Sequence, residues 1–342
     1  MTYPEAIAVG LIQGVTELFP VSSLGHNVLI PALIGGSWAQ DLSVSAPESP
    51  YLAFIVGLHV ATAAAMILYF WRDWVRIVGG FLSSLRDRRI ETADQRLAWM
   101  IILATIPVGI AGLALEHAFR VVFSKPVPTA IFLAVNGLIL LGSERRLRGR
   151  LAPAPAPAAQ ALVTQPLAAS APVSESVPAQ PGDARLDPPG APPAAPGSGR
   201  EAEIARAVAA DGRLSAMGYR RAVLIGAAQI AALLPGISRD GVVSVTGMFR
   251  GLSREDAVRY SFLLSAPVIL AAGVLKIPDL TGPLGSGIGG QILVGSLLSF
   301  VGAYLSVRFL TKYFAKQRSF APFGWYCLAA GLFSLIFYLV AR

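Results

Sequence analysis

Apolar residues fall along this chain in long uninterrupted runs, not in the short alternating windows of a soluble fold. Six runs, at roughly 51–71, 98–117, 127–143, 257–277, 290–310 and 322–341, reach or approach the length an α-helix needs to cross a bilayer. Two further apolar stretches, 5–34 and 220–250, are broken in the middle by Pro, Gly and polar residues. The breaks read Phe19-Pro20-Val21-Ser22-Ser23 and Leu234-Pro235-Gly236-Ile237-Ser238-Arg239. Backbone freed at such a break has to be buried in protein or line a wet cavity. Each broken stretch is therefore expected to be a helix–break–helix hairpin that enters and leaves the membrane on one side.

The predicted fold class is an all-α polytopic membrane protein made of two halves. Residues 1–148 hold a re-entrant hairpin and three spans, and residues 214–342 hold another hairpin and three more. An odd number of spans per half inverts the second half relative to the first. Basic residues agree with that inversion. Arg72, Arg76, Arg86, Arg88, Arg89 and Arg96 follow the first span, Arg145, Arg146, Arg148 and Arg150 the third, and Lys312, Lys316 and Arg318 the fifth. The alternate loops carry few Lys or Arg, so the basic ends are predicted to be cytoplasmic. The two hairpins then meet near the midplane from opposite sides, as in other inverted repeats built around broken helices. The repeat leaves a faint trace in Gly10-Leu-Ile-Gln13 before Phe19-Pro20 and Gly226-Ala-Ala-Gln229 before Leu234-Pro235.

Between the halves, residues 149–213 form an Ala/Pro-rich segment expected to be a disordered cytoplasmic linker, with a short interfacial helix over 201–213. Composition agrees with a membrane protein: 54% of residues are hydrophobic and only 14% charged, with a mean hydropathy of +0.60. A soluble domain carries about 25% charged residues. The net charge of +8 is spread over the loops and forms no nucleic-acid face. Cys327 is the single cysteine, so no intrachain disulfide forms. The N-terminus lacks the basic region of a secretory signal, so residues 1–34 are expected to stay in the mature protein.

Those residues carry the candidate chemistry. On a helix ending near Pro20, Gln13 and Glu17 are four apart and share a face. Ser22 and Ser23 sit at the break, where they can cap the next helix and leave its N–H groups as an anion site. His26 follows one turn later. An acidic residue inside a membrane segment is costly and marks function, whereas either serine alone can be only a cap. Arg239, at the second break after Ser238, brings the cation and donor fork that phosphate recognition needs. Its structural alternative is an ion pair with Asp240 or Glu17. His59, inside the first span, either lines the cavity or bonds a neighbouring helix, and Asn136 and Thr105 read as interhelical hydrogen bonds. No zinc cluster, phosphate-binding loop of the nucleoside triphosphatases or dinucleotide fingerprint occurs.

The segments Gln13-x-x-x-Glu17, Pro20-Val-Ser22-Ser23-x-Gly25-His26 and Pro235-Gly-x-Ser238-Arg239-x-Gly241 resemble the undecaprenyl-diphosphate phosphatases, the bacitracin-resistance lipid phosphatases of bacteria. The resemblance spans nearly the whole chain apart from the Ala/Pro insertion. It implies a hydrolase of the plasma membrane that converts undecaprenyl diphosphate to the monophosphate, recycling the carrier for peptidoglycan, with a site open to the outer face. It implies catalytic roles for Glu17, Ser23, His26 and Arg239, substrate binding by Gln13, Ser22, Ser238 and Arg239, and a divalent cation, Mg²⁺ or Ca²⁺, with Glu17 as ligand. Ser23 is then the nucleophile with His26 as general base, or Glu17 activates water directly. Expected partners are the polyprenyl diphosphate, the bilayer and a second copy of the chain in a homodimer. Gln13 stands where the family commonly has Glu, which implies weaker metal affinity. Leu24, Asp240 and Val243 also depart from the family pattern, leaving Ser244 or Thr246 as substitute hydroxyls. The competing reading is a transporter or flippase for polyprenyl phosphate, which needs Arg239 but no nucleophile.

Overall fold

The computed structural model describes residues 1–43, 50–118, 125–151, 199–276 and 287–340. Among them the regular structure is helical, with no strand: an all-α polytopic membrane protein. Six helices are long and apolar enough to cross a membrane: α4 (Pro50–Tyr69), α6 (Ala93–Ala118), α7 (Pro126–Leu151), α11 (Arg254–Leu275), α12 (Gly289–Ala315) and α13 (Ala321–Val340). They match the six apolar runs of the sequence.

Both hairpins are broken as the polar residues require. The first is α1 (Tyr3–Thr16), a turn through Glu17–Val21, and α2 (Ser23–Ile34), followed by the short α3 (Gly36–Asp41). Thr2 caps α1 in a reciprocal box with Glu5, and Ser22 caps α2 by accepting from the Gly25 N–H at 3.3 Å. The second hairpin is α9 (Tyr219–Ala227), a 3-10 turn over Ala228–Leu233, an extended break, and α10 (Arg239–Phe249) capped by Ser238. Pro235 leaves the break without one backbone donor. Gly236 turns it at φ +109, and a Cβ there would lie 2.5 Å from the Thr129 carbonyl of α7, so only glycine fits.

Small residues let the helices approach without side chains between them. α1 packs on α12 along Gly10 and Gly14, where added Cβ atoms would lie 2.6 Å from the Gly295 carbonyl and 2.5 Å from the Ser299 carbonyl. Close backbone contact of this kind supplies packing where lipid removes the usual hydrophobic drive between helices. The other principal contacts join α7 to α13, α4 to α12 and α11, and α6 to α9.

Two elements add to the sequence reading. The basic loop after the first span is a helix, α5 (Trp71–Asp87), whose exposed face is apolar. The end of the segment assigned to the linker is α8 (Gly199–Ser215), while 152–198 lie outside the described residues. Ion pairs tie α8 to the bundle. Asp211 accepts from Arg76 of α5 at 2.6 Å and from Arg259 of α11 at 2.8 and 3.0 Å. Arg213 forks onto Asp256 at 2.6 and 2.9 Å. Thr105 corrects an expectation: its hydroxyl donates to the Ile102 carbonyl of its own helix, not across an interface.

Candidate active site

Glu17 is the centre on which the two hairpins converge. It follows the last turn of α1, so Gln13 lies one turn below it, and Gln13 Nε2 donates to Glu17 Oε2 at 2.8 Å. Ser23, the first residue of α2, donates its hydroxyl to the same oxygen at 2.5 Å. His59 Nε2 of α4 stands 3.4 Å from it. The other carboxylate oxygen, Oε1, takes Arg239 Nη2 from the second hairpin at 2.5 Å. Glu17 is only 7% exposed, so its charge is met almost wholly by these donors.

The breaks are stitched together around that carboxylate. Ser22 has φ 68, a left-handed conformation that serine seldom adopts. Its Oγ accepts from the Gly236 N–H of the second break at 3.1 Å as well as from Gly25. Asn136 of α7 reaches both breaks: its Nδ2 donates to the Pro20 carbonyl at 3.0 Å and its Oδ1 accepts from the Ser238 N–H at 3.0 Å. The sequence expectation of an interhelical bond at Asn136 is thus met at the site itself. Each hairpin's second helix, α2 and α10, begins at this junction, capped by Ser22 and Ser238.

His26 is buried one turn into α2. Its Nδ1 faces the Ser22 carbonyl at 2.7 Å and so carries the proton, leaving Nε2 to accept from the Tyr326 hydroxyl of α13 at 2.7 Å. The two rings stack, 5.7 Å apart at 3°. Ser23 donates its hydrogen bond to Glu17 in this arrangement, and the expected pairing of Ser23 with His26 is absent from the hydrogen bonds of the described residues. Asp240, next to Arg239, is held by Ser261 and Ser265 of α11 at 2.6 and 2.8 Å.

Three polar side chains join the predicted set. Asn27 Nδ2 donates to Gln13 Oε1 at 2.6 Å and fixes which end of that amide faces Glu17. Its signal was legible as a second polar residue beside His26. His59, left open between cavity and helix contact, belongs to the site. Tyr326 had no sequence signal, being one aromatic in an aromatic-rich span.

The donor set does not fit a resident Mg²⁺ or Ca²⁺. Such ions take about six or more oxygen ligands, for Mg²⁺ many of them water or substrate phosphate, and no group of three His, Cys, Asp or Glu side chains among the described residues could hold one without those. Glu17 is surrounded instead by N–H and O–H donors and by a guanidinium. Gln13 explains why: a carboxylate there would meet Glu17 as a like charge, whereas the amide donates to it.

The sequence matches the family described as bacitracin resistance protein BacA over residues 6–172 and 201–333. It is 57% identical over 336 residues to the undecaprenyl-diphosphatase of Mycolicibacterium paratuberculosis, covering 98% of this chain and 97% of that protein. Undecaprenyl-diphosphatase 1 of Frankia casuarinae is 52% identical, with 98% of each chain covered. Undecaprenyl-diphosphatase 2 of Chromobacterium violaceum is 36% identical, with 98% of this chain and 99% of the other covered.

Proposed function

The chain belongs to the bacitracin resistance protein BacA family, and on that premise we propose that it is an undecaprenyl-diphosphatase, a membrane hydrolase releasing phosphate from undecaprenyl diphosphate and returning the monophosphate carrier to cell-wall synthesis. The observation that carries this reading is one carboxylate, Glu17, bonded at once to a hydroxyl nucleophile, Ser23, and to a phosphate-binding cation, Arg239. A flippase has no use for the first of these bonds. Phosphate release from undecaprenyl diphosphate by the purified protein tests it; a protein that binds the lipid but releases no phosphate overturns it.

Phosphoryl transfer asks mainly for positioning and charge stabilisation. Arg239 has a buried Nε with no hydrogen-bond partner among the described residues, a donor ready for a phosphate oxygen. The N-termini of α2 and α10 add backbone donors and positive dipole ends at the same junction. Ser23 attacks the terminal phosphorus as Glu17 takes its proton, and the bridging P–O bond breaks to release the lipid monophosphate. Water then attacks the phosphoserine and yields its proton to His26 Nε2, released from Tyr326. The Ser23–phosphorus bond breaks, and Glu17 returns its proton to the serine. Gln13 and Asn27 keep Glu17 in place, and Ser22 and Ser238 hold the two helix starts.

A divalent cation, where turnover needs one, arrives on the diphosphate and is no part of the resting site. The proposed location is the bacterial plasma membrane, as for a carrier lipid of cell-wall synthesis, with the site open to the outer face, an orientation that the distribution of Lys and Arg supports. An inverted relation between the halves is supported by the matched contacts of α1 with α12 and of α9 with α6. Assembly as a homodimer belongs to the same proposal.

A further inference from the structure

A second polar feature lies away from Glu17, at the end of the bundle where α4 stops, α5 and α11 start, and α12 ends. A cleft of about 760 Å³ opens there, walled by these helices and by α8. Five of its lining residues are cations and two are anions. Arg76 and Arg259 are already neutralised by Asp73 and Asp211, at 2.5 to 3.1 Å. Arg72, Arg206 and Lys312 have no carboxylate partner among the described residues, against the single remaining carboxylate of Glu255. The cleft therefore carries an excess of unpaired positive charge.

Its other walls are apolar. Leu68 is 52% exposed and Trp71 51%, with the Arg72 guanidinium lying 5.2 Å over the Trp71 ring. From Trp71 the exposed apolar face of α5 continues through Val75, Val78, Leu82 and Leu85. A helix with such a face and arginines at its start lies in the membrane interface. The cleft thus meets lipid along its apolar rim and offers cations at headgroup level.

We propose that this cleft binds the phosphodiester headgroup of an anionic phospholipid, with Arg72, Arg206 and Lys312 around the phosphate and an acyl chain along Leu68 and Trp71. A zwitterionic lipid brings its own cation into an already positive cleft and is disfavoured. Inorganic phosphate cannot cover the apolar rim, and exposed cations alone hold it too weakly to stabilise the fold. Basic pockets between membrane helices select anionic headgroups for these reasons.

The test uses the full chain, delipidated in neutral detergent, with the thermal unfolding midpoint followed during titration. Phosphatidylglycerol is expected to raise the midpoint, while phosphatidylcholine of the same chain length and inorganic phosphate leave it unchanged. Each basic residue near an anionic phosphate contributes roughly fivefold, so the triple variant Arg72→Gln/Arg206→Gln/Lys312→Gln should need roughly a hundredfold more phosphatidylglycerol. Arg239→Ala should keep the wild-type response, which separates this cleft from the catalytic site. If the triple variant fails to fold, Arg206→Gln alone, exposed on α8, should show the single-residue shift. An unchanged titration in these variants overturns the proposal. So does an equal response to phosphatidylcholine, or stabilisation by inorganic phosphate alone.

Discussion

Arg239 Nη2 lies 2.5 Å from Glu17 Oε1, an ion pair joining residues 222 apart and drawn from two different hairpins. A cation held by a planar fork is not replaced by a point charge. Arg239→Lys should lower phosphate release about 10²–10³-fold, the range for losing one preorganised donor at developing charge. Steady-state assays on detergent-solubilised protein check this, and activity within a factor of a few of wild type would remove Arg239 from phosphate stabilisation.

The bond from Ser23 to Glu17 separates a phosphoserine from a directly activated water. Ser23→Ala should lose at least about 10²-fold in turnover, as expected when a nucleophile or its proton transfer is removed. Acid-quenched wild-type enzyme should yield phosphoserine at position 23 by mass spectrometry. Substantial turnover by Ser23→Ala would assign the attack to water activated by Glu17.

Gln13 sets the relation of this site to divalent cations. With glutamine present, chelation should leave the melting temperature of the substrate-free protein unchanged, even where it lowers turnover. Gln13→Glu places a like charge beside Glu17, so that variant should melt at a lower temperature and regain stability when Mg²⁺ or Ca²⁺ is added. A fall in the melting temperature of the wild type on chelation would show that an ion resides in the resting site.

Asn136 holds both breaks from a neighbouring span. Asn136→Leu leaves the buried Ser238 N–H and Pro20 carbonyl without this partner, at a cost of about 1–3 kcal/mol for each unsatisfied group. The variant should melt several degrees lower and lose activity, although Asn136 touches no reacting atom. Wild-type stability in that variant would mean that the breaks are held by their own caps.

Close packing at Gly14 makes a different prediction. Gly14→Val places a side chain where even a Cβ would lie 2.5 Å from the Ser299 carbonyl, so α1 must leave α12. Yield of folded protein should fall sharply, measured by gel filtration in detergent, whereas Gly79→Ala, which meets open space, should behave as wild type.

What was legible in the sequence follows from the cost of polarity in lipid. Glu17 and Arg239 stood out because a charge in an apolar segment needs a reason; their ion pair was only the structural alternative to phosphate binding by Arg239, and it is the contact present. The serines were legible as caps because prolines and glycines mark where helices stop. Proton routes were not legible. Whether His26 or Glu17 faces Ser23 depends on about one helical turn of register and on the ring of Tyr326, three hundred residues away. α5 was read only as a basic loop, because its arginines dominate a stretch whose apolar residues recur every three or four positions.

The hydrogen bond from the Gly236 N–H to Ser22 Oγ has a consequence in time as well as space. These residues are 214 apart in the chain, so at roughly 5–20 residues per second the first hairpin waits on the order of 10–40 s for its partner to be made. Through that interval Glu17 is in the nascent chain without Arg239, and Ser22 has not yet gained the bond that holds its strained backbone. The first hairpin is therefore expected to reach its final seat late, after the second half has been inserted. The half-made protein should be the species most exposed to membrane proteases.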